Sequence, residues 1–153
     1  MFKLRQRCKE FFSDLKNSPD LKTDFDIFYL CLLIGLQNNS RSDPNSYGDI
    51  VNEFNDNFTR EYSQIRYSII ALVVCAEAKK SGINLDEKAS VIKLFEQMTN
   101  TDSPSKLSTR GAEAMNAYAS GGFDLIQKHF SEKRRSMPNI LVRYSELLDT
   151  DQQ

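Results

Sequence analysis

Residues 27 to 36 read IFYLCLLIGL, and a helix laid over about 24–37 is apolar on nearly every side. A helix of that kind cannot lie on a surface with one face in water; it has to be surrounded. The run covers about half the length needed to cross a bilayer, so the cover must come from the rest of the chain and not from lipid. Thr23 stands where an N-cap belongs, directly before the apolar run. The fold expected from this one element is a central helix wrapped by others. At 153 residues, with ten phenylalanines and six tyrosines but no tryptophan, the chain has the material for one such core.

The flanking sequence supplies the wrapping, because its apolar residues recur at three and four. Leu4, Cys8, Phe11, Phe12 and Leu15 share a stripe of a first helix that NSPD at 17–20 ends. NNSRSDPNSYG at 38–48 is dense in turn formers and reads as a mobile loop. Ile50, Val51, Phe54 and Phe58 make a short amphipathic turn or two, and Tyr62, Ile65, Ile69, Leu72, Val73 and Ala76 form a long inward stripe that Lys79, Lys80 and Gly82 stop. A further helix starts at Asn84 with Leu85, Ala89, Ile92 and Phe95 inward. After a loop at 99–106, Ser108 caps a helix carrying Ala112, Met115 and Ala119, which Gly121 or Gly122 ends. Phe123, Ile126 and Phe130 begin the next, and Pro138 opens the last, with Leu141, Tyr144 and Leu148 inward. The expected fold class is all-α: one domain over 1–148, a bundle of about seven helices, with 149–153 as a frayed tail.

Catalytic signals are sparse. The double glycine in YASGGFDLIQKHF is followed by Phe123 and Asp124, where a phosphate loop needs Lys and Ser or Thr, so the glycines read as a helix end. His129, the one histidine, has no acid or thiol at a metal-binding or catalytic spacing and reads as a surface side chain. Ser103 to Lys106, SPSK, matches the S-x-x-K pattern but lacks its companion motifs. Cys8, Cys31 and Cys75 each sit among apolar neighbours without a C-x-x-C, which predicts buried thiols and a reducing, cytoplasmic setting. The start lacks an uninterrupted apolar core and a cleavage site, so no signal peptide is expected. The reading is of a non-enzyme without metal or cofactor.

Charge is laid out unevenly although the net is only −1. Residues 1–16 carry five basic side chains against two acidic ones, and 128–143 carry five against one. Lys128, Lys133, Arg134, Arg135 and Arg143, together with Arg5 and Lys9, are therefore the candidate contacts to a partner protein or to phosphates. No stacking motif or recognition helix indicates sequence-specific DNA reading.

Two stretches, SPDLKTDFDIFYLCLLIGLQNNSR at 18–41 and MNAYASGGFDLI at 115–126, resemble the small accessory proteins encoded beside bacterial DNA phosphorothioation systems, the Dnd system-associated proteins. The resemblance implies a non-catalytic subunit of a prokaryotic anti-phage or DNA-modification complex that works through other protein subunits. It carries over no catalytic residues. The alternatives are a nucleic-acid-binding protein that uses the basic ends for non-specific contact, and a small enzyme of another type. No membrane association is expected.

Overall fold

The computed structural model describes residues 1–13 and 21–130. In chain order these form β1 (Phe2–Arg5), α1 (Gln6–Phe11), α2 (Asp24–Gln37), a 3-10 turn at Pro44–Tyr47, β2 (Val51–Asn55), α3 (Arg60–Ser63), α4 (Arg66–Lys80), α5 (Lys88–Met98) and α6 (Thr109–His129). The expectation of about seven helices in an all-α bundle is corrected to six α-helices and a small two-stranded sheet among the described residues. The helix expected from Pro138 and the tail at 149–153 lie outside them.

The central helix falls where its apolar run demands. Thr23 accepts a hydrogen bond from the Asp26 backbone N–H while Asp26 accepts one from the Thr23 backbone, a reciprocal cap that fixes the start of α2. Phe25, Ile27, Phe28, Cys31, Leu32 and Ile34 are buried along it.

Its partner is α6, which runs unbroken through the double glycine where the sequence predicts a helix end. The glycines serve close approach instead. A Cβ placed on Gly122 would lie 1.8 Å from the Cys31 carbonyl oxygen, and one on Gly35 would lie 1.9 Å from the Tyr118 carbonyl oxygen. The two helices thus meet backbone to backbone, each donating a glycine to the other. Glycine costs a helix about 1 kcal/mol relative to alanine, a penalty that such a crossing offsets through packing. Small residues extend the effect: from Ala114 to Phe123 every residue of α6 is buried. The molecule therefore has two surrounded helices, one large-residue and one small-residue.

β1 and β2 pair antiparallel, Lys3 opposite Glu53 and Arg5 opposite Val51, with an irregularity between Phe2 and Lys3. Both segments were expected to be helical. Leu4 and Cys8 lie four apart and so mimic a helical stripe, and four residues are too few for the alternation of Phe2 and Leu4 to show itself. Pairing across the chain decides the matter. The sheet carries aromatic side chains into the core: Phe2 packs edge-on against Phe25 and Phe58, both at 5.1 Å between centroids, and Tyr62 lies 4.8 Å from Phe25. Ring pairs of this kind contribute about 1 kcal/mol each beyond the area they bury.

The outer edge of β1 is closed by a side chain. Buried Asn116 of α6 accepts from the Lys3 backbone N–H at 3.0 Å and donates to the Met1 carbonyl at 3.1 Å, making the two bonds that a neighbouring strand would make. α4 ends as the sequence predicts, at Lys80, with Gly82 in the left-handed region at φ 72°.

Asp26 links α2 to α3. Partial burial works against its charge, but the hydroxyls of Tyr62 (2.6 Å) and Thr23 and the backbone N–H groups of Thr23 and Lys22 all donate to it, holding its carboxyl below the usual range. The folded protein therefore keeps Asp26 ionised to lower pH than the unfolded chain does. Its contribution is complete near neutrality, above the unfolded value, and is lost as pH falls through the folded one. Asp26→Asn is expected to lower stability at pH 7 and to make the acid limb of a stability-against-pH curve shallower. Denaturant melts at a series of pH values check this, and parallel curves for the two proteins would contradict it.

Candidate functional site

Three regions of the surface carry polar chemistry or unpaired apolar area. The first is a groove of about 710 Å³ between the amino-terminal half of α6, the loop at 41–45 and the start of the sheet. Thr109, Ala112, Glu113 and Asn116 form one wall, Arg41 to Asn45 a second, and Met1, Lys3 and Glu53 the third. Its cations are already engaged. Lys3 pairs with Glu53 at 3.5 Å, and Arg41 pairs at 3.3 Å with Glu77, whose side chain is 8% exposed. The Arg41 guanidinium also lies over the Tyr118 ring, 5.4 Å from its centroid. Burial and the Glu77 carboxylate together push the Tyr118 hydroxyl well above its ordinary value, so it stays protonated. Asp43, which accepts from the Asn45 backbone N–H at 2.9 Å, and exposed Glu113 complete an acidic balance that is poorly matched to a phosphate.

The loop that walls this groove, expected to be the mobile segment, is tied to α6 along its length. The Ser42 backbone N–H donates to the Ala117 carbonyl at 3.0 Å, its hydroxyl to Ser120 at 2.9 Å, and the Ser40 hydroxyl to the Gly121 carbonyl at 3.2 Å. Gly121 makes this seating possible, since a Cβ there would lie 2.2 Å from the Ser40 carbonyl oxygen.

The second region is the cage around Arg5. Its guanidinium sits between the rings of Tyr47 (4.1 Å) and Phe123 (4.9 Å), donates to the Ser120 carbonyl at 3.1 Å and forms an ion pair with Asp124. The Tyr47 hydroxyl donates to the second Asp124 oxygen at 2.6 Å. The cation is held within the chain by two rings, a carbonyl and a carboxylate, although its Nε donor is buried without a hydrogen-bond partner.

That placement corrects the reading of Arg5 as a surface contact: its side chain is 3% exposed and its charge belongs to Asp124. Lys9 is likewise engaged, at 3.1 Å from Asp24. Lys128 is exposed near the end of α6, as expected, and Lys133, Arg134, Arg135 and Arg143 lie outside the described residues. His129 is half-buried with its ring against Phe130. Arg41, Glu77, Tyr47 and Asn116 were not picked out from sequence. Two of them leave a trace there, since Glu77 interrupts an otherwise apolar VVCAEA and Asn116 shares the buried face of α6 with Ser120, four residues on.

The third region is apolar. Ile65, Leu72, Leu85 and Ile92 belong to the stripes that spacing assigns to the interior, yet they are 43%, 49%, 42% and 58% exposed, with Tyr67 beside them in sequence at 53%. α4 turns Ile69, Ile70, Val73 and Val74 inward, and α5 turns Val91, Leu94, Phe95 and Met98. Of the exposed apolar side chains, Tyr67 and Leu72 lie on α4 and Ile92 on α5, while Ile65 and Leu85 stand just before the two helices.

Among the described residues no group of three or more His, Cys, Asp or Glu side chains is placed to hold a metal ion. No helix among them is long and apolar enough to cross a membrane. Compared with protein-family models, curated proteins and solved structures, the chain matches none.

Proposed function

We propose that this protein is a non-catalytic accessory subunit that works by docking other proteins through the outer faces of α4 and α5. One observation carries the reading: large apolar side chains at helical spacing, Leu72 and Ile92 above all, are left in water by the chain's own fold. Scattered exposed apolar residues are ordinary; what counts here is that Tyr67 and Leu72 of α4 and Ile92 of α5 stay exposed on two consecutive helices that pack together. A prokaryotic defence or DNA-modification complex is the proposed setting, and that part rests on the family resemblance alone. The rival reading, non-specific nucleic-acid binding, is weakened at the amino-terminal end, where Arg5 and Lys9 are paired internally. It now depends on exposed Arg7, on Lys128 and on the basic residues that follow.

The test co-expresses the chain with the products of neighbouring genes, as the original protein and as Leu72→Asp with Ile92→Asp. Both positions are already exposed, so stability is expected to stay within about 0.5 kcal/mol per substitution. A stoichiometric complex formed by the original protein and lost in the variant is the expected result. A complex that survives both substitutions, or nucleic-acid binding with no complex, would count against it.

A further inference from the structure

Cys8 of α1 and Cys31 of α2 stand 23 residues apart in the chain, yet their sulfur atoms lie 3.8 Å from each other. Both are buried, at 1% and 0% exposure, while Cys75 on α4 is only partly covered. From this juxtaposition we infer that Cys8 and Cys31 form an oxidisable dithiol, a covalent modification site that closes into an internal disulfide and fastens the amino-terminal segment to the central helix. The position is consequential because the Cys31 carbonyl is the group that Gly122 approaches at the crossing of α2 and α6. A bond there ties residues 1–13 to the most tightly packed point of the molecule.

The co-reactant is a small-molecule disulfide of the glutathione type. One cysteine loses its proton to solvent, and its thiolate attacks a sulfur of the oxidant, which leaves as one thiolate and takes up a proton. The remaining cysteine, deprotonated in turn, attacks the sulfur of the mixed disulfide. The Cys8–Cys31 bond forms and the second small thiol departs, so two protein thiols are oxidised and one disulfide is reduced to two thiols. Burial governs the rate. It disfavours the thiolate, pushing the Cys8 thiol well up, and it excludes the oxidant. Closure therefore requires residues 1–13 to lift from α2, and reduction of the closed form requires the same opening. The pair behaves as a slow latch and not as a fast sensor.

The experiment uses the full chain carrying Cys75→Ser, which leaves only the two cysteines in question. The protein is unfolded, then refolded in a buffer of oxidised and reduced glutathione so that access does not limit the reaction. Acid quenching, denaturation and alkylation follow. Expected are two thiols protected from alkylation, a protease digest in which the peptide of Cys8 is joined to that of Cys31, and a melting midpoint higher by roughly 5–10 °C than that of the reduced protein. Adding Cys8→Ser should abolish the joined peptide and the rise. Two alkylated thiols, glutathione adducts on either cysteine, or disulfide-linked dimers in place of the internal bond would overturn the inference. A joined peptide with an unchanged midpoint would overturn its latching role.

Discussion

Gly122→Ala is expected to cost roughly 3 kcal/mol or more, enough to unfold a marginal domain at physiological temperature. On a surface helix the same change would stabilise, since alanine is the better helix former by about 1 kcal/mol. Here the new methyl would sit 1.8 Å from the Cys31 carbonyl oxygen, far inside van der Waals contact, and the obstacle is backbone that no rotamer can move. The helices would have to separate, and each would lose contacts along the crossing. Gly35→Ala should behave alike, its obstacle being the Tyr118 carbonyl oxygen at 1.9 Å. Gly48 is the contrast: a Cβ there meets nothing within 4 Å, so the cost is only the left-handed backbone at φ 63°, about 1 kcal/mol. Denaturant midpoints of the three variants give the comparison. Equal losses at Gly122 and Gly48 would show that the crossing is looser than described.

The second large effect is an asymmetry within one ion pair. Arg5 is 3% exposed and Asp124 30% exposed, so losing one partner is not equivalent to losing the other. Asp124→Asn leaves a buried guanidinium without its counter-charge and keeps only one oxygen for two donors, Arg5 and the Tyr47 hydroxyl, and is expected to cost about 3 kcal/mol. Arg5→Met fills the slot between Tyr47 and Phe123 with an apolar side chain and leaves Asp124 to water, so its cost should be about 1 kcal/mol or less. The double variant should resemble Arg5→Met alone. Chemical denaturation of the three proteins measures this, and an Asp124→Asn variant as stable as Arg5→Met would mean that the cage is open to solvent.

Local signals were legible where they coincide with what the tertiary structure needs. The cap at Thr23, the all-round apolarity of α2, the stop after Lys80 and the cap at Ser108, which accepts from the Gly111 N–H, are each set by a few adjacent residues. Failures came where two local readings were equally good. The double glycine suits a helix end and a helix crossing alike, and only the position of Cys31 decides between them. Leu85, just before α5, lines up at helical spacing with Ala89 and Ile92, and Val91, Leu94 and Met98 do so on another side. The second wins because the carbonyl of Met98 seats against Gly111 at the start of α6. The site fared worse than the fold. Arg5 looked like part of a basic surface because its partner lies 119 residues away, a distance across which sequence pattern says nothing.

That distance also bears on the order in which the protein can fold. The bonds that Met1, Lys3 and Arg5 make to Asn116, Ser120 and Asp124 stitch β1 and the residue before it to the last helix described, more than a hundred residues further along. Until α6 leaves the ribosome, the amino-terminal strand has no cover for its outer edge, and α2 lacks the helix it packs against most closely. Between the synthesis of α2 and that of α6 the nascent chain therefore holds its most apolar helix without its principal partner. Folding to completion has to wait for residues near 124, and a carboxy-terminal truncation that enters α6 should yield aggregating material in place of a smaller soluble domain.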